Sequence, residues 1–146
     1  MRNFARNAMI AALYAVTAWF LPATAFANLR LSTALYVLAA WNPALIPGLA
    51  IGNLLAGIPQ GPLDMLMGGA VGLLTAWTAS RLGPKWAPLA VLLIPTVVVP
   101  LWLGWLYHVP YIATVPALAE GQTASAALGW ALLRVPQLRR MVEDRG

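Results

Sequence analysis

Nine Lys and Arg, four Asp and Glu, one His and no Cys make up the acid–base and metal-ligating chemistry of this 146-residue sequence. Without cysteine there are no disulfides and no thiolate zinc sites, and the lone His108 excludes a multi-histidine metal centre. Four acids and one imidazole leave little for general acid–base work, and no Ser, His and acid fall into a nucleophilic arrangement. Gly83-Pro84-Lys85-Trp86 lacks the glycines whose amides cradle phosphate, so nucleotide hydrolysis is not expected either. The residues predict no enzyme, no cofactor and no metal.

What they can do is recognise a ligand. Arg30, Asp64 and Glu120, with the neutral Asn53 and Gln122, stand among apolar residues, where a charge costs at least ~2.5 kcal/mol and normally serves a function. Each also has a plainer reading. Arg30 can snorkel to headgroups. Asp64 follows Pro62 in a first helical turn, where an acid complements the helix dipole. Glu120 can pair internally with an arginine, and His108 can meet headgroups. Gln122 is two positions beyond Glu120, about 200° round a regular helix. Both face one pocket only if Gly121 breaks that helix. Trp102 and Trp105 can anchor at an interface or stack on a flat ligand.

The elements that must hold these side chains are membrane helices. The sequence is 61% hydrophobic and only 9% charged, with a mean hydropathy of +0.75. So few charges cannot coat a water-facing surface, which argues against a soluble domain, a disordered chain or a nucleic-acid-binding protein. Pro, Gly and charge clusters divide the chain into six apolar segments within one membrane domain, 1–146: residues 4–21, 31–41, 44–58, 63–80, 86–107 and 111–135. The second and third are short against the roughly 20 residues of a full span. They read as two tilted or partly buried helices joined at Asn42-Pro43, or as one kinked re-entrant hairpin.

Six spans put both termini on one side. That side holds Arg2, Arg6, Arg81, Lys85, Arg134, Arg139, Arg140 and Arg145, and the other keeps only Arg30. The positive-inside rule then makes the termini cytoplasmic in a multi-pass protein of the cell membrane. Ala25-Phe26-Ala27 resembles a signal cleavage site, but cleavage would split the basic loops between the two sides, so the segment is expected to stay. Prolines 88, 95, 100, 110 and 116 remove backbone donors and mark that half of the bundle as a pocket wall. Small residues four apart, Ala8/Ala12, Ala11/Ala15, Gly48/Gly52 and Gly68/Gly72, suit close helix packing, either within the bundle or, for the first-helix alanines, against another subunit.

The stretch Arg30-Leu-Ser-Thr-Ala-Leu, followed by Asn42-Pro-Ala-Leu-Ile-Pro-Gly-Leu-Ala-Ile-Gly and Gly61-Pro-Leu-Asp64-Met-Leu-Met-Gly68, resembles the QueT family. Its pattern runs R-x-S-E-x-L, P-x-A-I-P-G-L-x-x-G-x-x-L-A-N and G-x-x-D-x-x-x-G-S-L-A-T-L-L. QueT proteins are substrate-binding S components of energy-coupling factor (ECF) transporters, associated with queuosine precursors. The resemblance implies an all-α, six-transmembrane-helix S component without its own ATPase. It implies as partners a membrane T subunit, two cytoplasmic ATPases, the lipid bilayer and a small-molecule ligand. It also implies that the first-helix face of Ala8, Ala11, Ala12 and Ala15 meets the T subunit. The sequence departs from the pattern where the glutamate after R-x-S is Thr33 and the G-E of the last helix is Gly121-Gln122, with an acid at Glu120 instead.

A deazaguanine offers two adjacent N–H donors and a carbonyl on its pairing edge. One carboxylate can accept both donors while an Arg, Gln or Asn donates to the carbonyl. The expected binding set is therefore Arg30, Thr33, Asn53, Asp64, Trp102, Trp105, Glu120 and Gln122. The alternatives are an S component for another small vitamin-like solute, which the two missing carboxylates favour, and a non-transporting membrane scaffold.

Overall fold

In the computed structural model, which describes residues 2–20 and 31–143, every regular element is helical. The chain runs through α1 (Arg2–Phe20), a 3-10 helix (Leu31–Ala40), a 3-10 turn (Pro43–Leu45) leading into α2 (Ile46–Ala56), α3 (Pro62–Leu82), α4 (Ala87–Tyr107), α5 (Tyr111–Leu132) and α6 (Pro136–Glu143). Arg30 and Ala25-Phe26-Ala27 lie outside the described residues.

Prolines and glycines set the breaks. Pro62 lies in the first turn of α3, where its missing N–H costs nothing, and Gly61 before it takes φ 111°, a backbone state that suits glycine. Gly83, φ 75°, ends the same helix. Asn42 closes the turn between the second and third segments: its side-chain oxygen accepts from the Ala44 amide at 3.1 Å, and its Nδ2 donates to the Val142 carbonyl at 2.9 Å.

The second segment departs from expectation. Its 10 residues form a 3-10 helix, far longer than the three or four residues usual for that form. At ~2.0 Å per residue it reaches about 20 Å, where an α-helix of the same length would reach about 15 Å. Burial of nearly its whole length holds it in place: Ser32 through Ala39 are buried except Leu35. It packs against α1, α3, α4 and α5 and is the axis of the bundle. Around it α1 packs on α2, α2 on α3, α3 on α4 and α4 on α5, while α5 and α1 scarcely meet. The ring of helices is open at that seam.

Tight contacts close the rest of the ring. A Cβ on Gly48 would fall 2.6 Å from the Asn7 carbonyl, and one on Gly52 would fall 2.7 Å from Tyr14 Cβ and 3.1 Å from the Ala11 carbonyl. Asn7 ties α1 to the first turn of α2 and to the 3-10 turn before it, accepting from the Gly48 amide at 2.7 Å and donating to the Ala44 carbonyl at 2.8 Å. The four alanines of α1 therefore divide. Ala11 and Ala15 are buried in the protein's own packing, and Ala8 and Ala12 are exposed.

The last segment ends at Leu132 rather than at residue 135, and a separate amphipathic helix, α6, begins at Pro136. Among the described residues one helix, Ala87–Tyr107, is long and apolar enough by itself to cross a membrane. α1, α3 and α5 carry polar residues at their ends or toward the interior, which lowers their hydropathy.

Candidate functional site

Four elements and the axial 3-10 helix meet around a cavity of about 110 Å³. In a 3-10 helix residues three apart eclipse, so Thr33 and Tyr36 stand in one row, and both line the cavity. α2 supplies Asn53, and α3 supplies Asp64, Gly68 and Val71, spaced four and three apart as one helix face requires. Thr114, Leu118 and Gln122 of α5 are spaced by four in the same way. α4 contributes Pro95, Val99, Trp102 and Leu103, so the expected proline-bearing wall is present.

Polar groups converge there although little water reaches them. Asp64 is 7% exposed, and its Oδ1 accepts from Trp102 Nε1 at 3.4 Å. Thr33 Oγ1 donates to Gln122 Oε1 at 3.2 Å across the cavity wall, which leaves the Gln122 amide hydrogens for a ligand carbonyl. Asn53 Nδ2 donates to the Gly68 carbonyl, so its Oδ1 is the free acceptor. Tyr36 reaches past the cavity to Tyr14 of α1, their hydroxyls 3.0 Å apart and both side chains buried. Gly72 makes room for this crossing: a Cβ there would fall 2.8 Å from Asn53 Nδ2 and closer still to the Tyr36 hydroxyl. The lining thus offers one carboxylate and one amide oxygen as acceptors, one amide as donor, and an indole as an apolar wall.

Of the eight residues expected to bind ligand, Thr33, Asn53, Asp64, Trp102 and Gln122 come together. Glu120 and Trp105 do not. α5 runs unbroken through Gly121, so Glu120 projects about 200° away from Gln122 and is exposed. Trp105 is turned off the α4 face that carries Val99 and Trp102, and is 74% exposed. His108 caps α4 in the left-handed region, φ 53°, and is also exposed.

Tyr36 and Thr114 were not anticipated. Thr114 could have been found from its spacing of eight from Gln122. Tyr36 could not, because its alignment with Thr33 depends on the 3-10 winding. Among the described residues no group of three His, Cys, Asp or Glu side chains could hold a metal ion.

No curated protein and no solved structure matches the chain. The family model described as QueT transporter matches residues 4–137. That match takes in every helix that lines the cavity, and the family is one of transporters rather than enzymes. This membrane protein belongs to the QueT transporter family.

Proposed function

We infer that the protein is a six-span S component of an ECF-type uptake transporter that binds a queuosine precursor or a related deazaguanine in the cavity around Asp64. The observation that carries this reading is the pairing of one buried carboxylate with a donor amide across an indole-walled cavity. Asp64 would accept the two adjacent N–H donors of a deazaguanine edge, Gln122 would donate to its carbonyl, and Trp102 would cover its flat face. At about 110 Å³ the cavity is smaller than the ~300–1,000 Å³ of typical ligand sites, so it widens on entry of a fused two-ring base.

Three cation–aromatic pairs support the proposed orientation: Arg81 over Trp77, Lys85 over Trp86 and Arg134 over Trp130, at ring-centroid distances of 5.4, 5.3 and 3.4 Å. They stand at the end of α3, the start of α4 and the end of α5, which alternating helix directions bring to one end of the bundle. Indoles with snorkelling cations mark a membrane interface, and the positive-inside rule makes this end cytoplasmic. The cavity, built from the opposite halves of α3, α4 and α5, then opens toward the outer side. Delivery inward falls to a T subunit and two cytoplasmic ATPases, met through the exposed Ala8 and Ala12.

Calorimetry on the detergent-purified protein with queuine and with its aminomethyl precursor tests the ligand. Heat of binding with either supports the reading. No heat with both, together with binding of another vitamin, transfers the cavity to a different small solute. The neutral Thr33–Gln122 hydrogen bond, where the family pattern carries glutamates, favours that second reading.

A further inference from the structure

Three residues per turn give the 3-10 axis three rows of side chains. Thr33 and Tyr36 form the row that lines the cavity. Val37, in the next row with Ala34, lies against Gly129 of α5, where a Cβ would fall 2.7 Å from Val37 Cγ1. The row of Thr33 and Tyr36 is held at two points. Gln122 of α5 accepts from the Thr33 hydroxyl, and Tyr14 of α1 meets the Tyr36 hydroxyl with its own at 3.0 Å.

Tyr14 is not a cavity residue. Among the described residues α1 contributes no side chain to the lining, and Tyr14 is buried behind the wall at 1% exposure. Its ring centroid lies 5.4 Å from that of Tyr36, the planes 45° apart. Neighbouring helices leave space for both rings: Gly52 of α2 stands against Tyr14 Cβ and Gly72 of α3 against the Tyr36 hydroxyl, each closer than a Cβ would tolerate. Two phenylalanines would fill that space with no hydroxyl to desolvate, and a buried hydroxyl is costly unless it is bonded. What the polar pair adds over an apolar one is direction. Ring packing permits the ring to tilt, whereas a hydrogen bond fixes the far end of the phenol in distance and angle. Such a pin matters most on this axis, because 3-10 hydrogen bonds have poorer geometry than α-helical ones and hold a long run less firmly.

We propose that Tyr14 is a positioning residue of the ligand site: it acts through Tyr36, whose ring it fixes in the cavity wall together with the row that carries Thr33. A side chain outside the cavity thereby sets ligand affinity. The proposal rests on the reading of this cavity as the ligand site and not on which ligand it takes.

Calorimetry with queuine on the full-length protein in detergent, for the unaltered chain, Tyr14→Phe, Tyr36→Phe and the double variant, tests it. Tyr14→Phe keeps the ring and removes the hydroxyl, and affinity should fall about fivefold, the effect of one neutral hydrogen bond. Because Tyr14 acts through Tyr36, the double variant should bind no more weakly than Tyr36→Phe alone, a non-additivity that two independent losses of packing would not produce. Unchanged affinity in Tyr14→Phe, or a double variant whose loss is the product of the two single losses, overturns the proposal. A second measurement needs no ligand. The chain has no cysteine, so Thr114→Cys places one thiol on the cavity wall, and methyl methanethiosulfonate should modify it several-fold faster when Tyr14→Phe is added. A rate that Tyr14→Phe leaves unchanged overturns the proposal as well. Absence of queuine binding by the unaltered protein, with the labelling rate still raised by Tyr14→Phe, fails the ligand reading alone.

Discussion

Asp64 combines two roles that a sequence cannot separate. It occupies the first turn of α3, where the helix dipole favours an acid, and it lines the cavity with Trp102 on its Oδ1. Asp64→Asn removes the charge on which both roles draw while keeping an acceptor for Trp102, so affinity and melting temperature report on the two roles separately. Hydrogen bonds to a charged group contribute about 1.5–3 kcal/mol, so calorimetry should show ligand affinity falling roughly 10- to 100-fold with the melting temperature nearly unchanged. A large loss of melting temperature with affinity retained would make Asp64 a structural acid. Gln122 and Glu120 show where reading from sequence reaches its limit. Their opposed directions on an unbroken helix are legible from spacing alone, but that α5 is unbroken and which of the two faces inward are decided by packing against α4 and the 3-10 axis.

The positions of the helices were legible because Pro43, Pro62, Gly83-Pro84, Pro110 and Pro136 punctuate the chain, and proline cannot continue a helix ladder. The winding of the second segment was not legible. Leu31–Ala40 is apolar nearly all round, so it has no amphipathic period to distinguish three residues per turn from 3.6. α6 escaped notice for another reason: eight residues with four charges in or beside them read as a tail until the Asn42–Val142 bond shows what holds them. The α1 alanines were ambiguous because both pairs have the same spacing. Ile10 and Tyr14, buried beside Ala11 and Ala15, choose the inner pair. Gly52→Val should therefore cost about 1–3 kcal/mol of stability by overpacking against Tyr14, visible as a lowered melting temperature in detergent. Ala12→Leu should leave that temperature unchanged and block copurification with the coupling proteins. A destabilising Ala12→Leu would return the outer alanines to internal packing.

At the scale of the whole molecule, Glu120 is the residue the bundle does not accommodate. It stands about 14 Å along α5 from Tyr111 and about 15 Å from Trp130, midway between two aromatic ends, exposed on the outer face. A charge at the centre of a membrane helix costs roughly 2.5–3.5 kcal/mol on insertion scales. Glu120→Leu should accordingly raise resistance to denaturing detergent while leaving ligand affinity within twofold, since the side chain points away from the cavity. Loss of ligand binding in that variant would place the residue at the site after all. The three rows of the 3-10 axis impose a different kind of constraint. Substitution within a row is a question of size, but inserting or deleting one residue between positions 31 and 40 advances every later side chain by one row. An insertion ahead of Thr33 would bring Leu35 to the cavity wall and a deletion there would bring Val37, and the threonine and tyrosine would turn to other walls. Lineages of this protein should vary in composition along that stretch and hold its length fixed.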